Sequence, residues 1–371
     1  MPDTTYAADP TYAARRDRLR GRLRAADLGA ALISRLVNVR YLTGFTGSNG
    51  ALLVGAEGAD LLCTDGRYRL QAGSQAPGLE LLIDRASAAA LAARAGALRV
   101  GRLGYEPHDV TVELYGTLAD RAPGVHLVRL DQSVEELRAV KDDGELAALR
   151  QACALADRAL AELLAAGGVR AGRTERQVGR DLDGRMLDLG AQAVSFETIV
   201  AAGPNSAVPH HRPTDRPLAT GDFVKLDFGA THAGYHSDMT RTLVLGQPAT
   251  WQRDVYDLVA TAQRSGVAAL GPGADLAAVD EAARGVIRTA GHAGEFGHGL
   301  GHGVGLEIHE APTLSAAGRG TLADRMSVTV EPGVYLEGRG GVRIEDTLIV
   351  RGPADGGVEL LTTTTKDLVV L

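Results

Sequence analysis

The chain has few cysteines, no long apolar run and no excess of basic residues. Cys63 and Cys153 are its two cysteines among 371 residues. Both stand in apolar segments, so we expect buried thiols in a reducing compartment rather than a disulfide or a metal pair. No segment approaches the roughly 18 apolar residues that span a membrane, and the first residues lack the apolar stretch of a signal peptide. These absences predict a cytoplasmic protein without a membrane partner.

The charge balance indicates which partners to expect. The formal net charge is −7, with 46 acidic and 39 basic side chains, whereas nucleic acids and anionic membranes favour basic surfaces. We therefore expect no nucleic-acid partner, and we interpret the arginines of segment 15–24 as the solvated face of a helix. A hydrophobic content of 45% is typical of a globular protein, and the length favours two domains.

The first part of the chain alternates between strand-like and helical segments, which is typical of an α/β layer. The segment 31–45 has strand character, and residues 51–64 predict two strands joined by a turn. Helices are expected over 11–29 and 86–97, with a strand over 98–106. An α/β fold is therefore predicted for the N-terminal domain.

From residue 133 the apolar spacing becomes helical, and the run ends at Gly167 and Gly168. This change of period places the domain boundary between residues 132 and 133. Strands are predicted over 223–230, 239–246, 327–336 and 341–350, and helices over 174–190, 251–270 and 275–291. The second domain, 133–371, is thus expected to be a sheet flanked by helices, of α+β type.

Acidic residues stand in strand-like segments of the second half, where acids are normally depleted. Asp227 lies in an apolar strand and Asp238 follows across a turn, so antiparallel strands can bring both to one end of a sheet. A turn-capping role is the alternative for either Asp alone. Glu331 ends another apolar strand and Glu345 stands inside the next, so that a hairpin would place them side by side. Arg343 shares the strand face of Glu345 and either orients that carboxylate or forms an edge-strand ion pair.

Histidines are concentrated in the glycine-rich segment 296–310, FGHGLGHGVGLEIHE. His298, His302 and His309 stand among glycines that allow turns and a close approach of a substrate. The spacing of His298 and His302 occurs in zinc-binding helices, but the glycines exclude a stable helix here. A phosphate-binding loop would need a Lys-Ser/Thr pair, which the segment lacks. His210, in a Pro-rich segment, enters the same site or belongs to a surface loop.

Four carboxylates that converge on one point repel each other unless cations lie between them. Four negative charges balance two divalent ions, so a two-metal hydrolytic site is the leading hypothesis. The predicted donors are Asp227, Asp238, His302, Glu331 and Glu345.

Blocks of this sequence, in their order along the chain, resemble the pita-bread metallopeptidases, in particular the Xaa-Pro branch of aminopeptidase P and prolidase. The blocks are GPNSAVPH, KLDFGATHAGYHSDMTRT, HGLGHGVGLEIHE, EPGVYL and GVRIEDT, and VRYLTGFTGSNGALLV and CTDGRYRLQA resemble the family's N-terminal domain. The resemblance implies a creatinase-like α/β N-terminal domain followed by an α+β pita-bread catalytic domain. Methionine aminopeptidases share the catalytic fold but usually lack the first domain.

The resemblance also implies roles for individual residues. The five predicted donors match the family's metal ligands, and Asp238 and Glu345 match the positions that bridge the two ions. The ions are typically manganese or cobalt and sometimes zinc, and carboxylate-rich ligation suits manganese. His210, His298 and His309 match histidines that contact the substrate and assist proton transfer.

The implied reaction is hydrolysis of the bond between an N-terminal residue and proline. Two metal ions would lower the pKa of a water molecule, Glu331 would act as ligand and general base, and His309 would stabilise the oxyanion. Asp227 is the candidate acceptor for the α-amino group of the substrate. The expected substrates are peptides with proline at the second position, and the expected assembly is a homodimer.

Three other functions are compatible with this fold. The segment GFTGSNG favours aminopeptidase P, and a prolidase restricted to dipeptides is the alternative. A creatinase-like hydrolase and a non-catalytic binding module are less favoured, because those relatives keep the fold but lose the metal ligands, whereas all five are present here.

Overall fold

The computed structural model of the protein describes residues 9–371. The chain divides into two compact units, one ending at Arg138 and the other beginning at Ala139. The change of unit lies inside the helix Ser133–Ala139, slightly after the boundary that the periodicity predicts between 132 and 133. Each helix in the described part of the chain is too short or too polar to cross a bilayer.

The first unit is built on one six-stranded sheet. Its strands are β1 (Ala30–Ile33), β2 (Ala51–Gly55), β3 (Leu61–Thr64), β4 (Glu80–Ile83), β5 (Arg102–Tyr105) and β6 (His126–Arg129). Its helices are α1 (Pro10–Ala25), α2 (Leu36–Thr43), α3 (Arg69–Gln75), α4 (Ser87–Ala97), α5 (Val112–Arg121) and α6 (Ser133–Ala139). The strand order is β4-β3-β2-β1-β5-β6 with mixed parallel and antiparallel pairing. The predicted α/β layer is confirmed.

The prediction of strand character over 31–45 is wrong for most of that segment. β1 ends at Ile33, and helix α2 follows until Gly44, whose φ of 79° ends it in the left-handed region. The segment is rich in β-branched and aromatic residues, but Val39 and Leu42 are fully buried at helical spacing. Tertiary burial therefore overrides the strand propensity of the segment. The two strands predicted within 51–64 are confirmed as β2 and β3.

The second unit contains several antiparallel sheets and two helix pairs. The helices are α7 (Asp143–Ala165), α8 (Glu175–Asp188), α9 (Thr250–Ala268) and α10 (Leu276–Thr289). The first strands are β7 (Ala193–Val194), β8 (Ile199–Ala202), β9 (Phe223–Phe228), β10 (Ala230–His232), β11 (Tyr235–His236) and β12 (Met239–Val244). The later strands are β13 (Gly301–Gly303), β14 (Glu310–Leu314), β15 (Ser327–Val330), β16 (Gly333–Leu336), β17 (Gly340–Arg343), β18 (Asp346–Ile349) and β19 (Glu359–Leu360).

Two sheets of this unit carry the cores. Strands β12-β9-β8 form one sheet, and β14-β13-β15-β18-β19 form another. Apolar side chains of α7 and α8 pack against the first sheet, and those of α9 and α10 pack against the second. Strands β16 and β17 pair as a separate hairpin, and β11-β10-β7 form a small sheet. The arrangement confirms the predicted α+β class of this domain.

The segment 133–167 is two helices rather than the one helical run that its periodicity suggests. Between α6 and α7, the backbone N–H of Lys141 donates to the Arg325 carbonyl, at 3.0 Å. Asp142 then begins α7 as its N-cap in a reciprocal capping box with Glu145. A long-range hydrogen bond and a strong local cap therefore break a run that would otherwise continue.

The segments 327–336 and 341–350 each form two strands, although we predict one strand for each. β15 pairs with β18 in the five-stranded sheet, whereas β16 pairs with β17 in the hairpin. The chain leaves the sheet at Glu331 and returns to it after Glu345. We predict Glu345 inside a strand, but it lies between β17 and β18, where the chain crosses from the hairpin to the five-stranded sheet.

Candidate active site

Two carboxylates reach the site from neighbouring strands. Asp227 lies in β9 opposite Thr240 of β12, and Asp238 comes directly before the first residue of β12. Both side chains are buried, with exposures of 7% and 5%. The antiparallel pairing predicted from the turn between them thus brings both acids to one end of the sheet.

Glu331 and Glu345 reach the site from the two places where the chain passes between the five-stranded sheet and the β16–β17 hairpin. Gly333 pairs with Arg343 in the hairpin, so two further steps of the same register place Glu331 opposite Glu345. Pro332 follows Glu331 and lacks the N–H that a continuing ladder would need. The hairpin expected between these acids is confirmed, with Glu331 and Glu345 at its open end.

His302 lies in β13, and the glycines beside it allow other strands to approach. A Cβ atom on Gly301 would lie 2.0 Å from the Thr329 carbonyl oxygen, and one on Gly303 would lie 2.2 Å from the Ala311 oxygen. Neither position tolerates a side chain. These glycines therefore admit neighbouring backbone rather than the substrate that the sequence suggested.

The imidazole of His302 is oriented by its own backbone. Its Nδ1–H donates to the Gly303 carbonyl at 3.1 Å, which leaves Nε2 facing the carboxylates. Nε2 lies 3.4 Å from Glu331 Oε1 and 3.6 Å from Asp238 Oδ2. Donor atoms of Asp238, His302 and Glu345 all lie within 4.8 Å of one another. At this point Nε2 and the carboxylate oxygens need either a proton or a cation between them.

The acidic groups surround a cavity of about 330 Å³. The lining of this cavity comprises Phe196, Glu197, Ile199, His210, His211, Arg212, Asp227, Asp238, His302, Ile308, His309, Glu331, Arg343 and Glu345. All five predicted metal donors are in this set, together with His210, His309 and Arg343. The structure thus places the predicted donors around one space, open enough to admit a ligand.

Burial and mutual repulsion both change the protonation of the acids in the cavity. Burial, and then the negative charges of Glu345, Asp227 and Glu331, raise the pKa of Asp238 well above its ordinary value. Burial, and then Glu331 and Asp227, likewise raise the pKa of Glu345. Both carboxyl groups therefore favour the neutral form unless a cation compensates their charge.

Glu331 and His302 shift in the opposite sense because they stabilise each other's charge. Burial raises the pKa of Glu331, but its hydrogen bond to His302 and the charges of His302, Arg343 and His298 outweigh burial and lower it. Burial lowers the pKa of His302, but the Glu331 carboxylate, the Gly303 carbonyl and the charge of Asp227 together raise it by more. Glu331 thus stays ionised more readily than Asp238 or Glu345.

Arg343 is buried at 2% exposure and connects three of the acids. Its guanidinium forms an ion pair with Asp227 Oδ2 and lies 4.0 Å from Glu331 Oε2. Its Nε donates to Thr240 Oγ1 at 3.0 Å, and that hydroxyl donates to Glu345 Oε2 at 2.6 Å. Arg343 therefore orients Glu345 through Thr240 and contacts Asp227 directly, whereas an edge-strand ion pair, its alternative, would be exposed.

His298 lies in a relay with Tyr335. Its Nδ1–H donates to the Gly299 carbonyl at 2.8 Å, and its Nε2 lies 2.8 Å from the Tyr335 hydroxyl. That hydroxyl accepts a hydrogen bond from Arg343 at 2.9 Å, so it donates its own proton to Nε2. Burial lowers the pKa of His298, in keeping with a neutral imidazole. The contact of His298 with substrate stays a prediction.

The other two histidines lie on the cavity wall. The ring of His309 packs edge-on against His302 at a centroid distance of 4.4 Å. Burial, and then the charge of His302, lower the pKa of His309, which favours a neutral ring with one N–H donor. His210 is exposed at the rim, in the loop that follows β8. Both rings are thus accessible to a ligand in the cavity.

Sequence reasoning missed two residues that connect the site, Thr240 and Tyr335. Thr240 is directly opposite Asp227 in the β9–β12 register, and the alternation of faces in TRT after Asp238 was the signal that could have found it. Tyr335 stands in EPGVYL, and its hydroxyl bonds His298 and Arg343 from two different segments. No local pattern predicts that meeting point.

The residues present fit divalent cations. The Oδ1 atom of Asp227 is buried without a hydrogen-bond partner in the described part of the chain, and His302 Nε2 faces oxygen atoms rather than donors. Carboxylate oxygens with one imidazole are a donor set for hard to intermediate cations such as manganese. A metal would satisfy the orphaned oxygen and offset the burial and the mutual repulsion that raise the pKa values of Asp238 and Glu345.

Comparison with known proteins covers both units. Residues 147–352 match the model of metallopeptidase family M24, and residues 15–140 match that of the creatinase/prolidase N-terminal domain. The chain is 36% identical over 356 residues to an uncharacterized peptidase, YqhT, of Bacillus subtilis, covering 96% of this chain and 99% of that relative.

Solved structures show the same likeness. An Xaa-Pro dipeptidase from Bacillus anthracis has a TM-score of 0.91 and 36% identity, covering 97% of this chain and 100% of its own. An X-Pro aminopeptidase from Thermotoga maritima has a TM-score of 0.86 and 33% identity, covering 96% and 100%. The family match includes every predicted metal donor, and the structural likeness extends over nearly the whole chain. The protein therefore belongs to metallopeptidase family M24, the pita-bread family that its sequence blocks resemble.

Proposed function

We propose that the protein is a two-metal aminopeptidase that hydrolyses the bond between an N-terminal residue and proline, in tripeptides and longer peptides. The observation that carries the proposal is the buried convergence of four carboxylates and His302 on one open cavity, with Asp227 Oδ1 unpartnered among the described residues. Related structures suggest the substrate class, since they are an Xaa-Pro dipeptidase and an X-Pro aminopeptidase.

The five donors would hold two divalent cations, for which manganese is the first expectation, with cobalt or zinc as alternatives. When bound, the cations supply Lewis acidity, which lowers the pKa of water and offsets negative charge on the scissile carbonyl oxygen. Asp238 and Glu345, whose pKa values are raised by burial and then by neighbouring acids, match the positions that two ions share in the family that the sequence resembles. Their mutual repulsion is the reason that this pair needs two positive charges.

Glu331 is the general base in this proposal. His302 and Arg343 keep its carboxylate ionised, so it can take a proton from the attacking water while the water oxygen bonds to the carbonyl carbon. The same carboxyl group then gives the proton to the proline nitrogen as the C–N bond breaks. Proline offers no N–H of its own and has a fixed φ, so a site shaped for its ring can select this bond.

The histidines and Asp227 orient the peptide. Neutral His309 would donate its N–H to the carbonyl oxygen as negative charge develops there. Asp227, as a carboxylate that also holds a cation, is the candidate acceptor for the α-amino group of the substrate. His210 would contact the peptide from the rim, and His298 would assist proton transfer through the hydrogen bond that its Nε2 accepts from Tyr335.

A dipeptidase is the second candidate, and the likeness to the Bacillus anthracis Xaa-Pro dipeptidase favours it. A creatinase-like hydrolase and a non-catalytic module are disfavoured, because all five donor positions are occupied by ligand-type residues that lie around one cavity. A homodimer, which would be seen by analytical ultracentrifugation, and a cytoplasmic location stay predictions.

The deciding experiment compares an Xaa-Pro dipeptide with matched Xaa-Pro-Yaa and Xaa-Ala-Yaa tripeptides, after chelation and after manganese is restored. Manganese-dependent cleavage of Xaa-Pro-Yaa alone among the tripeptides would support the aminopeptidase. Cleavage of the dipeptide only would make the protein a dipeptidase. If neither proline peptide is cleaved by protein that binds metal, the proposal is wrong. Glu331→Gln should abolish cleavage by loss of the base.

A further inference from the structure

The loop 203–214, which carries His210, is held by two buried charged side chains of opposite sign. It consists of the 3₁₀ turn Gly203–Ala207 and irregular backbone after it. Irregular backbone has no ladder to satisfy its polar groups, so other partners must hold it. The partners here are Glu175 and Lys225.

Glu175 receives N–H and O–H groups from both ends of the loop. It is the first residue of α8, and its side chain is completely buried. Its Oε1 accepts from the Ala202 backbone N–H at 2.8 Å and from Asn205 Nδ2 at 2.9 Å. Its Oε2 accepts from His211 Nε2 at 2.8 Å and from Thr214 N and Oγ1 at 3.0 and 2.7 Å. An acid that merely balanced its own helix dipole would not need these five donors from 202–214.

Lys225 binds the carbonyl groups between those ends. It lies in β9 with no exposed surface, and its Nζ lies 3.2, 2.7 and 3.3 Å from the carbonyl oxygens of Ser206, Val208 and Pro209. These three bonds use all three donors of an ammonium group. Pro209, the residue before His210, also accepts from Arg343 NH1 at 3.2 Å.

We propose that Glu175 and Lys225 are positioning residues that hold His210 at the rim of the substrate cavity. The contacts of Glu175 at 202, 205, 211 and 214 and those of Lys225 at 206, 208 and 209 bracket His210 on both sides. Glu175 accepts hydrogen bonds from the loop and Lys225 donates hydrogen bonds to it, so the backbone of the loop has little freedom to move. The proposal deepens the proposed function and rests on it, because His210 acts there on the peptide.

The test is Glu175→Gln, which keeps the size of the side chain but replaces one oxygen by a donor that meets other donors. We expect kcat/KM for Xaa-Pro-Yaa to fall about 10- to 100-fold, the effect of a misplaced group at a reacting centre, with bound metal unchanged. Amide hydrogen exchange within 203–214 should become at least about tenfold faster. The control is Asp143→Asn, which removes the acid at the first position of another helix, α7, where the side chain is 93% exposed; it should change neither quantity.

A double-mutant cycle separates positioning from general loss of structure. If Glu175 acts through His210, Glu175→Gln should cause no further loss of kcat/KM in a His210→Ala background. Equal losses in both backgrounds would overturn the proposal, and so would unchanged exchange in 203–214. If Glu175→Gln does not fold, Lys225→Met replaces it. Lys225→Met should also lower kcat/KM, speed amide exchange within 203–214 and cause no further loss of kcat/KM in the His210→Ala background.

Failure of the proposed function would look different. If the unmodified protein cleaves no Xaa-Pro peptide, that function is wrong, and the exchange rates alone decide whether the loop is held by Glu175. If His210→Ala is as active as the unmodified protein, Glu175 cannot act through His210, and the positioning role is overturned while the peptidase assignment stands.

Discussion

Two buried aspartates close to the site, Asp238 and Asp346, should respond in opposite ways to the same substitution. Both are almost fully buried, with exposures of 5% and 0%. Asp238 faces other acids, whereas Asp346 faces donors. We expect Asp238→Asn to stabilise the metal-free protein and Asp346→Asn to destabilise it.

The gain at Asp238 follows from its raised pKa. Burial, and then Glu345, Asp227 and Glu331, disfavour its charged form, so the folded metal-free protein holds a proton that the unfolded chain has lost. Stability then falls as pH rises above the ordinary Asp pKa of about 3.9, by up to about 1.4 kcal/mol per pH unit until the folded-state pKa is reached. An amide removes this cost, and we expect a net gain of about 1–3 kcal/mol at pH 8, on the scale of an unsatisfied buried polar group.

The loss at Asp346 follows from four hydrogen-bond donors. Oδ1 accepts from Arg241 at 2.7 Å and from Thr362 at 2.9 Å, and Oδ2 accepts from Gln263 and Lys366, both at 2.8 Å. An amide presents a donor to one pair of these groups and leaves the buried Arg241 without its counter-charge. Removal of one member of a buried ion pair costs about 3–5 kcal/mol, so we expect a loss near 3 kcal/mol.

The assay is urea unfolding of chelated protein at pH 5 and pH 8, repeated with manganese. The stabilisation by Asp238→Asn should be larger at pH 8 than at pH 5. With manganese at 100 times its Kd, the unmodified protein should gain about 2.7 kcal/mol and the variant much less, so that most or all of the variant's advantage disappears. A metal-free Asp238→Asn protein that is less stable than the unmodified one at pH 8 would refute this account of the charge cluster.

Three further outcomes follow from the same site. Metal binding should release protons, because Asp238 and Glu345 have raised pKa values in the metal-free protein. Calorimetry in buffers of different ionisation enthalpy measures the number of protons released, and a binding enthalpy that is the same in all buffers would contradict the expectation. His309→Gln should lower kcat about 10²–10³-fold, as loss of an oxyanion donor does, with metal content unchanged on equilibrium dialysis. Tyr335→Phe should cost about 1–3 kcal/mol in unfolding free energy, because His298 Nε2 and Arg343 both lose a partner.

Where the pattern of the sequence is local, its prediction agrees with the structure. The strands predicted over 223–230 and 239–246 are confirmed as β9 and β12, and the helices over 251–270 and 275–291 as α9 and α10. Cys63 and Cys153 are free and buried, as expected. In these segments, periodicity and turn residues agree with the tertiary packing, so that nothing competes with the local preference.

Where distant pairing decides, the prediction departs from the structure. Residues 36–43 form a helix because burial of Val39 and Leu42 outweighs strand propensity. The segment 341–350 is divided because β17 pairs with β16 and β18 pairs with β15. The residues of each segment do not by themselves determine which distant residues the segment packs or pairs with.

Local sequence patterns were enough to predict which residue types could form a metal site, the α/β and α+β order of the chain, and the hairpin that joins Glu331 to Glu345. The tertiary structure revealed how those residues are held. It showed that Thr240 stands between Arg343 and Glu345, that Tyr335 joins His298 to Arg343, and that one buried acid and one buried amine hold the loop of His210. Secondary-structure propensity and hydrophobic periodicity depend on a few neighbouring residues, whereas hydrogen bonds and ion pairs can join groups more than a hundred residues apart. Local patterns therefore could not predict these contacts.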